Sequence, residues 1–354
     1  MRIGVVVHGA EAIDSGFALR AIRALERFGD VSVSLGGTMG RVAVIDHSHE
    51  DLIDITRRER PSTALQRLID DKHDLVVLVN HGKTLESGIR FAELIIPRLN
   101  RKETPLLVIE GAGAIGSIGR CDLLEELASS LHLPVYHLKP RVAIKEAGDR
   151  VVRQIEGVRQ GELIQINGII IGRAVGEEII ITAENREITR VDGCEIKPHG
   201  LEKLGETDLR GAIIRTGTPR RSPTRLRQIH GEKRRIAVLI DHDAESSLEI
   251  AKNASLAVTV GDDTTALAAD ILYRVDVPII GITDGDRDGL IDKREKAPGS
   301  LVLRVSPGTD DQMGERVRRE IFRGSGEIEC SSPQELKGKI IQLLKNDIIE
   351  VIES

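Results

Sequence analysis

Short apolar runs alternate with amphipathic stretches near both ends of this 354-residue chain, and this alternation most constrains its fold. Apolar runs separated by helical patterns are typical of a parallel sheet that helices cover on both faces. Polar and glycine residues follow the runs, at the sheet edge where ligands of such folds bind. The predicted strands of the first region are Ile3–Val7, Val31–Leu35, Leu75–Val79, Leu106–Ile109 and Val135–Leu138.

The last region repeats the pattern. Its predicted helices lie at about 245–252, 265–273, 311–322 and 334–352, and its predicted strands are Ile236–Ile240, Leu256–Val260, Pro278–Thr283 and Leu301–Val305. Between the two regions, turns such as Asn167-Gly168 and Asp192-Gly193 separate shorter runs, which predicts a small β-rich insert. The predicted fold is therefore α/β, with two parallel-sheet (Rossmann-like) domains and this insert between them.

The predicted boundaries follow these changes of pattern. They are an α/β domain at 1–150, a β-rich segment at 151–217, a basic linker at 218–235 and a second α/β domain at 236–354. The stretch from Arg215 to Arg235 is strongly basic. It is either a solvated linker or a segment that faces an anion.

Composition excludes several classes of protein. Aromatic residues make up 2% of the chain and the net charge is −6, so strong nucleic-acid binding is not expected. Three scattered cysteines indicate neither disulfides nor a zinc cluster, and no apolar run is long enough to cross a membrane. We expect a cytoplasmic protein; a homodimer remains open.

An acidic run after the predicted strand Pro278–Thr283 fits a twelve-residue calcium loop. Gly289 stands at the sixth position, and Pro298 prevents the long exit helix of a helix-loop-helix hand. The run is therefore interpreted as an acidic loop that leaves a strand. The candidate ligands are Asp284, Asp286, Asp288, Asp292 and Glu295.

Acids also follow the two preceding strands. If the strands are parallel, these acids converge with Asp284 and Asp286 on one sheet edge, where a divalent cation, Mg²⁺ or Ca²⁺, would neutralise them. The alternative is that Asp243 and Asp263 cap helices and that the loop at Asp284 is a solvated turn. The acids after the first two strands are Asp241, Asp243, Asp262 and Asp263.

Glycine loops of the first region could receive an anion. Gly111, Gly113 and Gly116 form a G-x-G-x-x-G pattern between a predicted strand and a predicted helix. The pattern is compatible with a structural turn, with phosphate binding, or with NADP. Lys83 and Arg41, in neighbouring glycine loops, are the side chains expected to neutralise the anion, which could belong to a nucleotide.

An internal echo pairs Val7-His8-Gly9 and Asp14-Ser15-Gly16 with Asn80-His81-Gly82 and Glu86-Ser87-Gly88. The simplest interpretation makes Ser15 and Ser87 helix N-caps. In the functional alternative, His8 and His81 lie at the ends of neighbouring strands and face one ligand. Asp46-His47-Ser48-His49 could also bind a metal, although no third partner stands at a diagnostic spacing.

Two resemblances follow from these motifs. The strand before Asp284-Gly285-Asp286 resembles the Asp-x-Asp element of Toprim domains, which implies Mg²⁺ binding, but the glutamate expected after the first strand is replaced by Asp241 or Asp243. The motifs at Val7–Gly9, 14–16, 36–46 and 260–265 resemble an archaeal, chiefly methanogen, family of unknown function. That resemblance implies an archaeal source and assigns no activity.

Three functions fit the sequence. The first is a Mg²⁺-dependent enzyme that acts on a nucleotide or phosphorylated small metabolite, with Glu110, His8 or His81 as acid or base. The second is a non-catalytic protein that binds a cation or small ligand for regulation. The third is an NADP-dependent oxidoreductase that uses the glycines from Gly111 to Gly116.

Overall fold

The computed structural model describes residues 1–37, 40–57, 59–142, 144–217, 226–241, 244–285 and 295–353. The chain divides into two compact units, Met1–Arg221 and Ser222–Ser354, and each is described separately. We refer to them as the N-terminal unit and the C-terminal unit.

The N-terminal unit begins with a five-stranded sheet of order β2-β1-β3-β4-β5. Strands β1 to β4 are parallel, and β5 runs antiparallel to β4. The strands are β1 (Arg2–His8), β2 (Asp30–Gly36), β3 (Leu75–Asn80), β4 (Leu106–Glu110) and β5 (Ala114–Ile118). The helices are α1 (Ala10–Asp14), α2 (Phe17–Leu25), α3 (Gly40–Asp46), α4 (Pro61–Asp70), α5 (Leu85–Ile95) and α6 (Leu124–Leu131).

Helices cover both faces of this sheet because its strands are apolar at successive positions. Val5 and Val7 pack in one core with α1, α2, α3 and α6, whereas Val6 packs in another core with α4 and α5. Every residue of β3 is buried. This two-sided burial is the reason that the strands appear in the sequence as continuous apolar runs.

The predicted strand Val135–Leu138 is wrong. Strand β5 forms a hairpin with β4 and takes the place beside it, so Val135 makes only a single parallel bridge to Ile115. The sequence pattern does not predict strand β5, because the β4–β5 hairpin lies in a glycine-rich segment, and such segments are typical of loops.

The rest of the N-terminal unit is built from two four-stranded antiparallel sheets of order β11-β10-β7-β6 and β12-β9-β8-β13. The two sheets share one apolar core, so we call this part the sandwich. Asn167 and Gly168 both have positive φ in the turn from β8 to β9, as a tight hairpin requires. Its elements are β6 (Ile144–Ala147), β7 (Arg150–Glu156), β8 (Leu163–Ile166), β9 (Ile169–Ala174), β10 (Glu178–Glu184), β11 (Glu187–Asp192), β12 (Cys194–Ile196), α7 (Pro198–Leu204) and β13 (Ile214–Thr216).

The C-terminal unit contains a six-stranded sheet of order β18-β14-β15-β16-β17-β19. The inner four strands are parallel and both edge strands are antiparallel. The strands are β14 (Ile236–Asp241), β15 (Leu256–Val260), β16 (Ile279–Thr283), β17 (Leu301–Val305), β18 (Glu327–Glu329) and β19 (Ile348–Glu353). The helices are α8 (Ser247–Ala251), α9 (Asp262–Tyr273), α10 (Asp310–Glu320) and α11 (Pro333–Leu344).

Alternate side chains of this second sheet face different helices. Leu239 and Val258 pack with α10 and α11, whereas Thr259, on the opposite face of β15, bonds Thr265 of α9 at 2.8 Å. The helix predicted at 334–352 is wrong at its end, because it stops at Leu344 and the β-branched run from Ile348 pairs with β17 as β19.

These findings confirm a mixed α/β chain with parallel strands, and they add two antiparallel sheets between the parallel ones along the sequence. Across the part of the chain that the structure describes, no helix is long and apolar enough to span a membrane.

Candidate functional site

The strand order of the N-terminal sheet places a crevice at the carboxyl end of β1. Strand β1 lies between β2 and β3, so the connections that leave β1 and β3 diverge, and ligands of open α/β sheets bind at such a point. His8 ends β1, Asn80 ends β3 and Glu110 ends β4, and the register pairs them in that order. The three side chains therefore line one sheet edge.

These three residues form a hydrogen-bonded chain, which we call the relay. His8 Nδ1 lies 2.8 Å from Asn80 Oδ1, and Asn80 Nδ2 donates to Glu110 Oε2 at 2.6 Å. Glu110 is buried, with 1% of its surface exposed. Its other oxygen accepts from the backbone N–H groups of Gly82 at 2.7 Å and Ala112 at 3.0 Å. Three donors thus surround the buried carboxylate, which offsets the cost of removing it from water.

The relay determines which nitrogen of His8 carries the proton. Asn80 has to donate through its NH₂ group to the Glu110 carboxylate, so its oxygen faces His8. His8 Nδ1 therefore donates, and the lone pair of the neutral ring is at Nε2. Burial lowers the pKa of His8 to about 4; the bond to Asn80 opposes this shift and the nearby Arg215 adds to it. The ring is neutral at pH 7.

The surroundings of His8 orient the ring and leave space beside it. Phe91 of α5 stacks on the imidazole with ring centroids 4.0 Å apart. A Cβ at Gly37 would lie 3.8 Å from Nε2, and a Cβ at Gly9 would meet no atom within 4 Å. Both glycines have positive φ, 95° and 82°. Among the described residues, the space beside Gly9 is therefore open, whereas the Gly37 N–H already donates to Glu59 O at 2.8 Å.

A second histidine follows β3 at the same edge. His81 Nδ1 lies 3.2 Å from Ser15 Oγ, and its ring meets Phe17 edge-on at 6.0 Å between centroids. A Cβ at Gly111 would lie 2.7 Å from His81 Nδ1, so only glycine accommodates the ring there. The strands before His8 and His81 are neighbours, as the functional interpretation of the sequence echo requires.

The N-cap interpretation of that echo is wrong at both serines. Helix α2 has Gly16 as its N-cap, and Ser15 Oγ instead donates to Glu11 O at 2.7 Å. Helix α5 has Thr84 as its N-cap, and Ser87 is the reciprocal partner of Thr84 in a capping box. The two serines thus differ, because Ser15 contacts an imidazole and Ser87 caps the N-terminus of α5 together with Thr84.

The two cations expected to neutralise an anion are engaged elsewhere. Lys83 Nζ bonds Glu162 Oε2 and Thr216 O, each at 2.7 Å, which joins the loop after β3 to the sandwich. Arg41 is 4% exposed and donates to the carbonyl of Arg57. The sequence placed both residues in glycine loops, but it could not show which partners tertiary contacts would bring to them.

The G-x-G-x-x-G pattern forms a β-hairpin and not a strand, turn and helix in succession. Gly111 and Gly113 belong to the turn of the β4–β5 hairpin, and Gly116 lies inside β5, where a Cβ would come within 2.5 Å of Tyr136 O. Helix α6 begins only at Leu124. A phosphate loop requires a strand, a turn and a helix in immediate succession, and that context is absent.

Sequence reasoning missed three features of this edge. Phe91 reads as a core residue of an amphipathic helix, and Arg215 as part of a basic linker. Gly88 has a specific role, because a Cβ there would lie 2.1 Å from Glu110 Oε2. The Asn80-His81-Gly82 motif was the available signal, since a polar pair ends an apolar strand there.

In the C-terminal unit the sheet edge gathers carboxylates. Burial raises the pKa of Asp262, at the start of α9, to about 7, and the nearby Asp284, Asp310 and Asp263 raise it further. Asp284 Oδ2 accepts from Gly308 N at 2.6 Å. Asp310 was missed, because only the tertiary structure brings the start of α10 to this edge.

The other predicted metal ligands of this unit have different positions. Asp241 forms an ion pair with Arg318 at 3.0 Å, and its assignment to a convergent cation site stays a prediction. Glu295 is exposed, and Asp286, Asp288, Asp292 and Asp243 lie outside the described residues. Within the described ranges, no group of three or more His, Cys, Asp or Glu residues is arranged to hold a metal.

The Asp46–His49 segment is stabilised by contacts within the N-terminal unit. His47 Nε2 lies 3.1 Å from Asp14 Oδ1, and the rings of His47 and His49 stack at 5.7 Å. Burial and the neighbouring His47 lower the pKa of His49. These are contacts of a packed loop, and among the described residues they do not form a group of three that could hold a metal.

Comparison with known proteins gives relatives without an assigned activity. The model of a family described as uncharacterized proteins conserved in archaea (DUF2117) matches residues 5–325. An uncharacterized protein of Methanocaldococcus jannaschii is 38% identical over 336 residues, which cover 91% of this chain and 92% of the relative. No solved structure matches, so the Toprim likeness stays a prediction.

Proposed function

The chain belongs to this uncharacterized archaeal family, as its sequence predicted, and we propose that it is an enzyme acting on a small phosphorylated metabolite. Its site is the carboxyl edge of the N-terminal sheet beside β1 and β3. The observation that carries the proposal is the relay from His8 through Asn80 to Glu110.

The relay supports a role in acid–base chemistry because it presets the histidine. A neutral imidazole with its lone pair at Nε2 accepts a proton, and a bond at Nδ1 orients the ring for that task. Glu110 stabilises the relay from behind, since it holds the Asn80 amide in the orientation that His8 needs. His8 is the proposed proton acceptor, and Asn80 and Glu110 are positioning residues.

An anionic substrate fits the charges around His8. Arg215 lies near enough to oppose protonation of the ring, so a positive potential reaches the site. At Gly9, which has positive φ, the position that a Cβ would take has no described atom within 4 Å, and this leaves room for a ligand beside His8. These features replace the G-x-G-x-x-G pattern as the support for phosphate binding, and the NADP alternative loses its main motif.

Binding of a panel of nucleotides and phosphorylated metabolites, followed by ¹⁵N NMR of histidine nitrogens, tests the proposal. We expect a bound metabolite to shift the His8 Nε2 resonance and His8→Ala to weaken binding at least about tenfold, a loss of roughly 1.4 kcal/mol. His132→Asn is the matched control, because His132 has positive φ at the end of α6, which Asn tolerates. No shift with any member of the panel would exclude the site.

A second candidate function is divalent cation binding in the C-terminal unit, either for catalysis or for regulation. It is favoured by the crowding of Asp262, Asp284 and Asp310, since a cation would relieve the repulsion that raises the Asp262 pKa. The described residues do not by themselves form a metal site, so no chemical step is assigned to a metal. Mg²⁺ or Ca²⁺ titration of wild type against Asp284→Asn/Asp286→Asn tests it, and equal heats would exclude it.

A further inference from the structure

We propose that Ser15 is a nucleophile and His81 its base, and that the phosphoryl group of the metabolite is transferred to Ser15 Oγ. The inference rests on the proposed function and names its reaction class. Its structural basis is the contact of 3.2 Å between Ser15 Oγ and His81 Nδ1 at the ends of α1 and β3. A hydroxyl beside an imidazole is the arrangement that activates a serine.

The hydroxyl has one proton and two acceptors in reach. It bonds Glu11 O at 2.7 Å, and a rotation of the hydroxyl directs the proton to His81 Nδ1 instead. Ser15 is exposed, so an electrophile can reach Oγ, whereas His81 is partly buried. Phe17 contacts the edge of the His81 ring, and Gly111 leaves the space in which the ring sits. The base is thus fixed while the nucleophile stays accessible.

The backbone next to Ser15 can receive negative charge. Gly16, the N-cap of α2, has φ of 71° and contributes no side chain, and the N–H of Phe17, the first residue of this nine-residue helix, donates to Ser15 Oγ at 3.4 Å. N–H groups of the first turn of a helix have no acceptor within the helix. The Phe17 N–H lies beside the oxygen that would take up the phosphoryl group.

The transfer is balanced without a further reactant. The Ser15 Oγ–P bond forms as the ester P–O bond of the metabolite breaks. His81 Nδ1 takes the Ser15 proton and returns it to the departing alcohol oxygen. His8 acts in the same crevice but is not part of this exchange.

The sequence echo provides a matched control within the chain. Ser87 stands in Glu86-Ser87-Gly88 where Ser15 stands in Asp14-Ser15-Gly16. Its Oγ donates to Thr84 O at 2.9 Å and accepts from Thr84 N at 3.1 Å. Ser87 thus has the same sequence surroundings and the same hydroxyl, and its hydrogen bonds go to the backbone of a capping box. A chemical probe that reads nucleophilicity should separate the two serines.

The experiment is labelling of the full chain with a fluorophosphonate, in which Ser Oγ displaces fluoride from phosphorus. Intact and peptide mass spectrometry should find one adduct, on Ser15, and Ser15→Ala should abolish it while Ser87→Ala leaves it unchanged. His81→Ala should slow labelling about 10²-fold, the usual contribution of a general base, and added imidazole should restore part of the rate. Circular dichroism confirms that each variant is folded.

The outcomes distinguish this inference from the proposed function. No adduct, an adduct on another serine, or an undiminished rate in His81→Ala would overturn the nucleophile. Metabolite binding with a shift of His8 Nε2, measured in parallel, would then leave the proposed function intact. An adduct on Ser15 without any metabolite binding would support the nucleophile and contradict the metabolite class.

Discussion

The carboxyl edges of the two parallel sheets surround their buried carboxylates with opposite kinds of group. In the N-terminal unit, Glu110 is 1% exposed and accepts from Asn80, Gly82 and Ala112. In the C-terminal unit, Asp262 lies partly buried among other carboxylates, and its pKa rises to about 7. A carboxylate at the carboxyl edge of a sheet can thus be stabilised by hydrogen-bond donors, or it can be destabilised by neighbouring carboxylates.

The contrast has a functional meaning. A satisfied carboxylate keeps its partners in place without any ligand, which suits a site that has to present His8 in one orientation. A crowded group of carboxylates reaches its most stable state only when a proton or a cation joins it. The first edge is therefore a candidate for chemistry and the second for binding.

Two tyrosines allow each unit to be followed alone. The chain has no tryptophan and two tyrosines, Tyr136 in the N-terminal unit and Tyr273 in the C-terminal unit. Tyr273→Phe leaves fluorescence that reports the N-terminal unit, and Tyr136→Phe leaves fluorescence that reports the C-terminal unit. Each background reports the unfolding of one unit.

The largest expected effect is the loss of the Glu110 carboxylate. Glu110→Leu removes the acceptor of one buried donor, the Asn80 amide, and of two partly buried backbone N–H groups. At about 1–3 kcal/mol for the buried donor and less for each of the others, we expect the N-terminal unit to lose about 3–5 kcal/mol. Urea unfolding followed by Tyr136 fluorescence measures it. Glu126→Leu, whose side chain is 58% exposed, is the control and should change stability by less than about 0.5 kcal/mol. Equal effects would show that the donors find other partners.

The second effect has the opposite sign. Asp262→Asn removes a charge that the folded state disfavours, so at pH 8 we expect the C-terminal unit to gain about 1–2 kcal/mol, after allowance for solvent screening of a partly exposed group. The folded pKa of about 7 lies above the ordinary value of 3.8, so wild-type stability falls as pH rises from about 4 to about 7. The gain should therefore vanish near pH 4. Asp347→Asn, which breaks a pair with Arg316, should instead destabilise slightly.

The third effect is a pH dependence of the stability of the N-terminal unit, with the opposite sign to that of the C-terminal unit. The folded pKa of His8, about 4, lies below its ordinary value of 6.5. The neutral His8 ring therefore contributes fully to the free energy of unfolding above pH 6.5. This contribution is lost as pH falls toward 4, and the loss is about 1 kcal/mol after allowance for partial exposure. The difference in free energy of unfolding between wild type and His8→Gln, measured from pH 8 to pH 4, isolates the contribution of His8. A pH-independent difference would place the His8 pKa near its ordinary value.

The smallest effect concerns the contact between the loop after β3 and the sandwich. The Lys83–Glu162 pair has side-chain exposures of 35% and 14%, so Lys83→Gln should cost less than about 1 kcal/mol. Thermal unfolding of the N-terminal unit measures this loss. If Lys83 instead received the anion, as the sequence predicted, metabolite binding would fall with little change in stability.

Most of the strands could be predicted from the sequence, because burial on both faces requires continuous apolar runs. Strands β1, β3, β4, β15 and β17 all occur where such runs predict them. Strand β5 and strand β19 were missed for a different reason. Each pairs antiparallel at or near a sheet edge, where pairing and not apolar periodicity selects the strand.

The functional side chains were predicted by type and only partly by partner. His8, His81 and Glu110 were recognised because polar residues at the ends of apolar strands meet at one edge of a parallel sheet. The partners of Lys83 and Arg41 could not be predicted, because Glu162 and the Arg57 carbonyl come from other segments. Spacing along the chain indicates which strand ends share an edge, but it does not give the individual partners that distant segments supply.

By itself, the sequence determined the α/β class, the family and the chemical types at the strand ends, since periodicity and motifs are local properties. Only the tertiary structure decided that Asn80 joins His8 to Glu110 and that Ser15 contacts His81. It also decided that Gly111–Gly113 form a hairpin turn. The physical reason is that strand order and register set these contacts, and both arise from packing between segments far apart in the chain.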